Sequence, residues 1–359
     1  MSSVRHRIHR LVLAVSVAAA LVSGGAALAR VGATASAHGS SRPVAVQPAT
    51  KLCEPIVFVG VRWQYVGGTI NKWFEWSGGW TYGPSNSLIP CDTDILLATY
   101  SISPFTTFPF CCAAEMSYAF NWSGVKNTYV VTEPFSNGVG VITSTKRGTK
   151  LVETISTEPY TPADVAVAAN GTMYVSIVPP QGSSGSLVSC IVVYPPNSSS
   201  SAGMLSDARI GTGTSTVAVD GAGDLYVAYT TYAASVPSEQ IDEFVKGKGK
   251  AVPFATIKGA TAGSIAATKK GEVVTSSISG SAGKITIFSH KGGAPIGSFA
   301  TSSDPGSIGL DKKGDQLIVV DQAADVVESY SFPSGGLISE QPFSTGSSEP
   351  SVAASVLLP

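Results

Sequence analysis

Few side chains of this protein are equipped for acid–base, nucleophilic or metal chemistry. Histidine occurs four times, at positions 6, 9, 38 and 290. The first two lie in a basic N-terminal stretch and His38 in a Ser/Ala-rich one, so a Ser-His-Asp triad or a His-bound zinc would have to rest on His290. That residue sits in Ser289-His-Lys-Gly-Gly293, which reads as a solvated hairpin turn. Cys53, Cys91, Cys111, Cys112 and Cys190 show neither a C-x-x-C nor a Cys/His zinc spacing. In an oxidising compartment some should pair, and Cys53 with Cys91 is the first candidate. Cys190, in the apolar run 187–194, reads as a buried free thiol.

Oxygen chemistry has more to work with. Ser117, Asp164, Thr216, Ser264, Ser307 and Ser351 recur at intervals of 47, 52, 48, 43 and 44 residues. Each is polar, and Asp304, Glu349 and Glu115 lie within three residues of that column. Carboxylates and hydroxyls converging from several repeats are the ligands a hard cation such as Ca²⁺ takes. The competing reading is that these acids solvate loops, and on it the chain has no cofactor. A second candidate surface is aromatic. Trp63, Trp73, Trp76 and Trp80 are four of the five tryptophans, with Tyr65, Phe74 and Tyr82 among them. They would either stack on a sugar or hold a partner, or fill a packing seam.

The elements that must position these residues repeat. Asp164-Val-Ala-Val-Ala-Ala-Asn-Gly171, Thr216-Val-Ala-Val-Asp-Gly-Ala-Gly223, Ser264-Ile-Ala-Ala-Thr-Lys-Lys-Gly271 and Ser307-Ile-Gly-Leu-Asp-Lys-Lys-Gly314 align under one another. Each reads as a strand and a turn closed by Gly in a left-handed conformation, then a second strand at 173–176, 225–229, 272–276 or 316–321. Third strands follow at 191–194, 241–245, 284–288 and 326–331, and outer ones at 253–257 and 297–300. Weaker copies begin at Ser117 and Ser351. Such spacing suits a four-stranded antiparallel blade per repeat. The fold expected is an all-β, six-bladed β-propeller. Its last blade would join a C-terminal inner strand, at 351–357, to N-terminal strands at 56–65, 69–76 and 94–101. That arrangement leaves a loop at 78–92 or 102–116, and the alternative is a seven-bladed ring. A column of small residues, Ala119, Ala166, Ala218, Ala266, Gly309 and Ala353, would face the axis, with the polar column ringing one channel mouth.

The best copy, Thr216-Val-Ala-Val-Asp-Gly-Ala-Gly-Asp-Leu-Tyr-Val-Ala228, resembles the NHL repeat. The resemblance spans about 115 to 357. It departs at Tyr229, where an Asp often stands, and keeps that Asp only at Asp321. The resemblance implies the six-bladed propeller superfamily, which includes secreted scaffolds, gluconolactonase-type lactonases with a divalent metal at the channel mouth, and a lyase. By that likeness a lactonase- or lyase-type site would lie near Asp164. The lack of histidine, of a nucleophile motif and of recurring carboxylates favours a non-catalytic scaffold that binds a protein or small-molecule ligand.

Composition and address agree with this. Residues 1–29 read as a secretory signal, with Arg5, Arg7 and Arg10 before an uncharged apolar stretch and Ala27-Leu28-Ala29 as cleavage site. Residues 30–50 form a flexible Ser/Ala-rich tail, and 51–359 a single propeller domain, secreted or periplasmic, with no transmembrane segment after cleavage. Charged residues are 13% and the formal charge is -1, against a nucleic-acid partner and against disorder. The charges also sort by face. Loops carrying Glu133, Glu158, Asp164, Glu239, Asp304, Asp321 and Glu349 would make an acidic mouth, opposite a mixed, lysine-rich back that also carries Asp220, Asp224, Glu272, Asp311 and Asp315.

Overall fold

The computed structural model describes residues 57–62, 73–82, 88–91, 98–100, 116–122, 125–133, 137–145, 148–179, 189–207, 210, 214–279, 282–301, 305–311, 313–321, 324, 326–342 and 356–357. Of two compact units, Met1–Pro48 and Ala49–Pro359, all described residues belong to the second. The expected signal peptide and almost all of the tail are in the first, outside the described residues.

The described chain is nearly all β. The first sheet holds β1 (Val57–Arg62), β2 (Trp73–Tyr82), β3 (Leu88–Cys91) and β4 (Ala98–Tyr100). The second holds β5 (Met116–Trp122), β6 (Val125–Glu133), β7 (Gly138–Thr145) and β8 (Gly148–Ser156). The third holds β9 (Thr161–Val167), β10 (Met173–Val178), β11 (Cys190–Tyr194) and β12 (Gly203–Leu205). The fourth holds β13 (Ser215–Val219), β14 (Leu225–Ala233), β15 (Val236–Phe244) and β16 (Val252–Lys258). The fifth holds β17 (Thr261–Ala267), β18 (Val273–Ser279), β19 (Ala282–Phe288) and β20 (Pro295–Ala300). The sixth holds β21 (Pro305–Leu310), β22 (Gln316–Asp321), β23 (Val326–Ser331) and β24 (Leu337–Pro342). In the second to sixth sheets the four strands follow chain order, all antiparallel.

The C-terminal strand β25 (Val356–Leu357) pairs with β1, placing Phe58 opposite Leu357, so the first sheet runs β25-β1-β2-β3 with β4 also on β2. Of the two expected loop positions, 78–92 contains strand at 78–82 and 88–91, and 102–115 lies outside the described residues. The ten-residue β2 is long enough to pair β4 through Trp73–Glu75 and β3 through Gly79–Tyr82. First strands neighbour one another in order: β5 with β9, β9 with β13, β13 with β17, β17 with β21. Strand β25 lies near both β21 and β5.

Inner strands of the third to fifth sheets are rich in buried apolar residues because those sheets are covered on both faces. In β10, Met173, Val175 and Ile177 pack on the second sheet, while Tyr174 packs on the fourth. Each fully buried aliphatic chain contributes roughly 1.5–3 kcal/mol. Outer strands carry the solvent, as the exposed residues of β20 show. The x-x-x-Gly turns form as expected: Gly171, Gly223, Gly271 and Gly314 have φ of 86°, 86°, 84° and 73°.

Candidate functional site

The polar column is turned into the seams between sheets. Asp164 is buried, and both carboxyl oxygens are held by backbone N–H groups. Val165 donates to Oδ1 at 2.6 Å, and Val217, on the neighbouring sheet, donates to Oδ2 at 2.6 Å. Burial raises its pKa to about 7, and these two hydrogen bonds pull it partly back. Thr216 Oγ1 donates to Gly263 O at 3.0 Å, again across a seam. Ser264 is buried, its N–H bonded to Ser276 Oγ at 2.8 Å, and Ser307 is buried as well. A further cross-seam bond runs from Ser176 Oγ to Ser215 O at 2.8 Å. Three members of the small-residue column, Ala166, Ala218 and Ala266, pack into the seam with the following sheet. Ser117 lies on β5 opposite Val130. Ser351, Asp304 and Glu349 lie outside the described residues.

Of the acids expected at an acidic mouth, Asp164, Glu239 and Asp321 are buried and Glu158 is exposed, as is Lys258. Asp304 and Glu349 lie outside the described residues. Glu239 is fully buried at the fourth-to-fifth seam, and neither oxygen has a hydrogen-bond partner. Burial drives its pKa to about 8. The Thr275 hydroxyl lies near enough to lower it in part, without the geometry of a hydrogen bond. Of the residues expected on the opposite, mixed face, Lys246, Lys248, Lys250, Lys269, Lys270, Lys291 and Lys313 are exposed, and so is Asp315.

That face holds a cavity the sequence reading did not single out. It opens at the third-to-fourth seam with a volume of about 740 Å³, within the range of small-molecule sites. Tyr174, Val193, Pro195 and Leu205 line it, with Lys246 and Lys248 among its wall residues. Lys246 donates to Ala222 O at 2.8 Å and lies 3.8 Å from Asp224. The wall at Lys246 is shaped by a short 3₁₀ turn, Val245–Gly247, in which Lys246 and Gly247 have φ of 54° and 59°. Gly247 rests on Tyr174, and a Cβ there would collide with the tyrosine hydroxyl. The only cue in the sequence was the Lys-Gly-Lys-Gly-Lys run at 246–250, whose glycines permit such a turn.

Two solved structures resemble this chain. One is a chain from the crystal structure of a nidogen/laminin complex, at TM-score 0.57 and 10% identity, covering 84% of this chain and 98% of that one. The other is a protein from Lactobacillus plantarum, at TM-score 0.53 and 11% identity, covering 85% and 86%. The first is itself a β-propeller. The fold is a β-propeller. No protein-family model and no curated protein matches the chain.

In propeller terms, the four-stranded sheets are blades, and the remaining candidates fall between or on them. Trp73, Trp76 and Trp80 lie on β2, with Trp73 opposite Tyr100 and Trp76 opposite Val61, while Trp63 lies outside the described residues. Cys190 is a free, buried thiol, its Sγ 3.7 Å from Met204 Sδ. Cys53 lies outside the described residues, as do Cys111 and Cys112. His290 is exposed in its turn. Among the described residues no three His, Cys, Asp or Glu side chains group as metal ligands, and no helix is long and apolar enough to cross a membrane.

Proposed function

We propose that the protein is an extracytoplasmic, non-catalytic binding scaffold, a six-bladed propeller of the NHL type. In this reading cleavage after Ala29 releases the chain, and the first sheet is the sixth blade. Strand β25 then closes the ring. Its pairing with β1 and its position near both β21 and β5 support closure, and the recurrence of the Gly-closed turn supports the repeat type. The ligand is a protein or a small molecule.

The observation that carries the scaffold reading is Asp164. A lactonase- or lyase-type centre would need this carboxylate free to hold a metal or move a proton. Its two oxygens instead fasten the third blade to the fourth. The open cavity at the same seam lies on the opposite, lysine-rich face. The test is a thermal-shift screen of the purified protein against Ca²⁺, sugars and lactones, run beside a lactone-hydrolysis assay. The scaffold reading expects no turnover and no Ca²⁺ shift that depends on Asp164. Hydrolysis lost in Asp164→Asn, or a Ca²⁺ shift lost there, would replace it with the enzyme.

A further inference from the structure

Two of the blade seams among the described residues share one plan, which the third-to-fourth seam follows only in part. At the fourth-to-fifth seam, Phe254 of β16 packs edge-on against Tyr226, with ring centroids 5.0 Å apart, and against Phe288 at 6.3 Å. Gly292, in the turn after β19, lies directly on Phe254, and Gly293 N–H donates to Phe254 O at 2.7 Å. At the fifth-to-sixth seam, Phe299 of β20 lies 5.1 Å from Tyr330, with Gly335 of the next turn upon its ring. In both, a phenylalanine from an outer strand fills the seam, and a left-handed glycine closes over it.

The third-to-fourth seam has the glycine, Gly247, and the tyrosine, Tyr174, but not the phenylalanine. Its outer strand β12 is three residues long and reads Gly203-Met-Leu205. Leu205 sits opposite Ile191, where Phe299 sits opposite Ile285 in the fifth blade. The cavity borders Leu205, the position at which Phe299 stands in the fifth blade, together with Tyr174 and Gly247. Tyr174, Lys246 and Lys248 are the ionisable groups among its lining residues; Asp224 lies 3.8 Å from Lys246 and offsets that lysine's charge, which leaves Lys248 as the cation facing a ligand.

We propose that this cavity is a binding site for a small aromatic anion, whose ring takes the place that Phe299 fills in the next-but-one seam and whose acid group meets Lys248. The ring would lie between Tyr174 and Leu205, where stacking and burial supply affinity. The acid would stay at the rim, where attraction to the exposed Lys248 is salt-dependent. This assignment rests on the scaffold reading and names the chemistry of its ligand.

The test uses 2-naphthoate as probe, titrated calorimetrically into the full protein, with 2-naphthalenemethanol and 2-naphthylmethylamine as neutral and cationic comparators. The expected order is naphthoate tightest, the alcohol weaker by about tenfold, and the amine weaker still. Lys248→Glu should weaken naphthoate by about tenfold or more, while Lys270→Glu, on the same face of the fifth blade, should leave it unchanged. Leu205→Phe should abolish binding by restoring the ring. Ala202→Trp, an exposed substitution in the cavity wall, blocks by a second route should Leu205→Phe misfold. Equal binding of the amine, or naphthoate binding untouched by both blocking variants, overturns the assignment. So does the absence of binding by all three probes, which would leave the cavity to a macromolecular partner. None of those failures bears on the scaffold reading, which falls only to turnover or to an Asp164-dependent metal shift.

Discussion

The third-to-fourth and fourth-to-fifth seams begin from the same parts and end differently. Both have a tyrosine on the second strand, Tyr174 or Tyr226, opposite an alanine, Ala166 or Ala218. Both have a left-handed glycine in the following turn, Gly247 or Gly292. In the closed seam Tyr226 donates to Asp220 at 3.4 Å and is covered by Phe254. In the open seam the glycine sits on the tyrosine itself, and no outer-strand aromatic covers it. A repeat protein can thus acquire a cavity by leaving one large side chain out of one copy, with the rest of the plan unchanged.

The largest effect that would sharpen this contrast is loss of the plug. Phe254→Ala should destabilise the protein by about 3–5 kcal/mol in urea unfolding, the range for emptying an aromatic core position. Leu205→Ala, in the open seam, should cost about 1 kcal/mol. Equal costs would mean that the two seams are packed alike. Next in size, Asp164→Ala should cost about 2–3 kcal/mol, since it strands the buried Val217 N–H.

A smaller, pH-dependent effect should belong to the closed seam. Below about pH 4.5 Glu239 is protonated in both folded and unfolded chains. Between there and about pH 8 the unfolded chain ionises while the folded one stays protonated. Stability should therefore fall as pH rises through that window, by up to about 1.4 kcal/mol per unit. Asp164, raised to about 7, adds a slope of the same sign. Glu239→Gln should remove its own share, and a pH profile of unfolding unchanged by that substitution would place Glu239 in solvent. Smallest of all, Leu205→Phe should stabilise the protein by about 0.5–1 kcal/mol, measured as a rise in Tm. A fall in Tm would mean that the open seam is not shaped for a ring.

The blades were legible in the sequence because the signal is short-range. A strand, a Gly-closed turn and a second strand recur within about 14 residues, and Gly171, Gly223, Gly271 and Gly314 all adopt the backbone that their spacing implied. The columns were legible as columns, but not in direction. Period-two alternation says that Asp164 and Ala166 share a face, and only the neighbouring blade says what that face meets. Sorting charge by loop failed for a related reason. Glu239 and Asp321 belong to strands that the packing buries, so their sequence position said nothing of solvent. The cavity was invisible because it is made by what β12 lacks, and a three-residue strand gives almost no pattern to read.

Among the described residues, the hydrogen bonds that link blades here run to the next blade in the chain: Asp164 to Val217, Ser176 to Ser215, Thr216 to Gly263. Mechanically this makes the described body a one-dimensional array, in which each unit senses its neighbours and little beyond them. Damage at one junction should then stay local, and fraying should start at the most thinly filled junction. In hydrogen exchange the amides of β11 and β12 should open before those of β18 and β19, although all four strands belong to copies of the same unit.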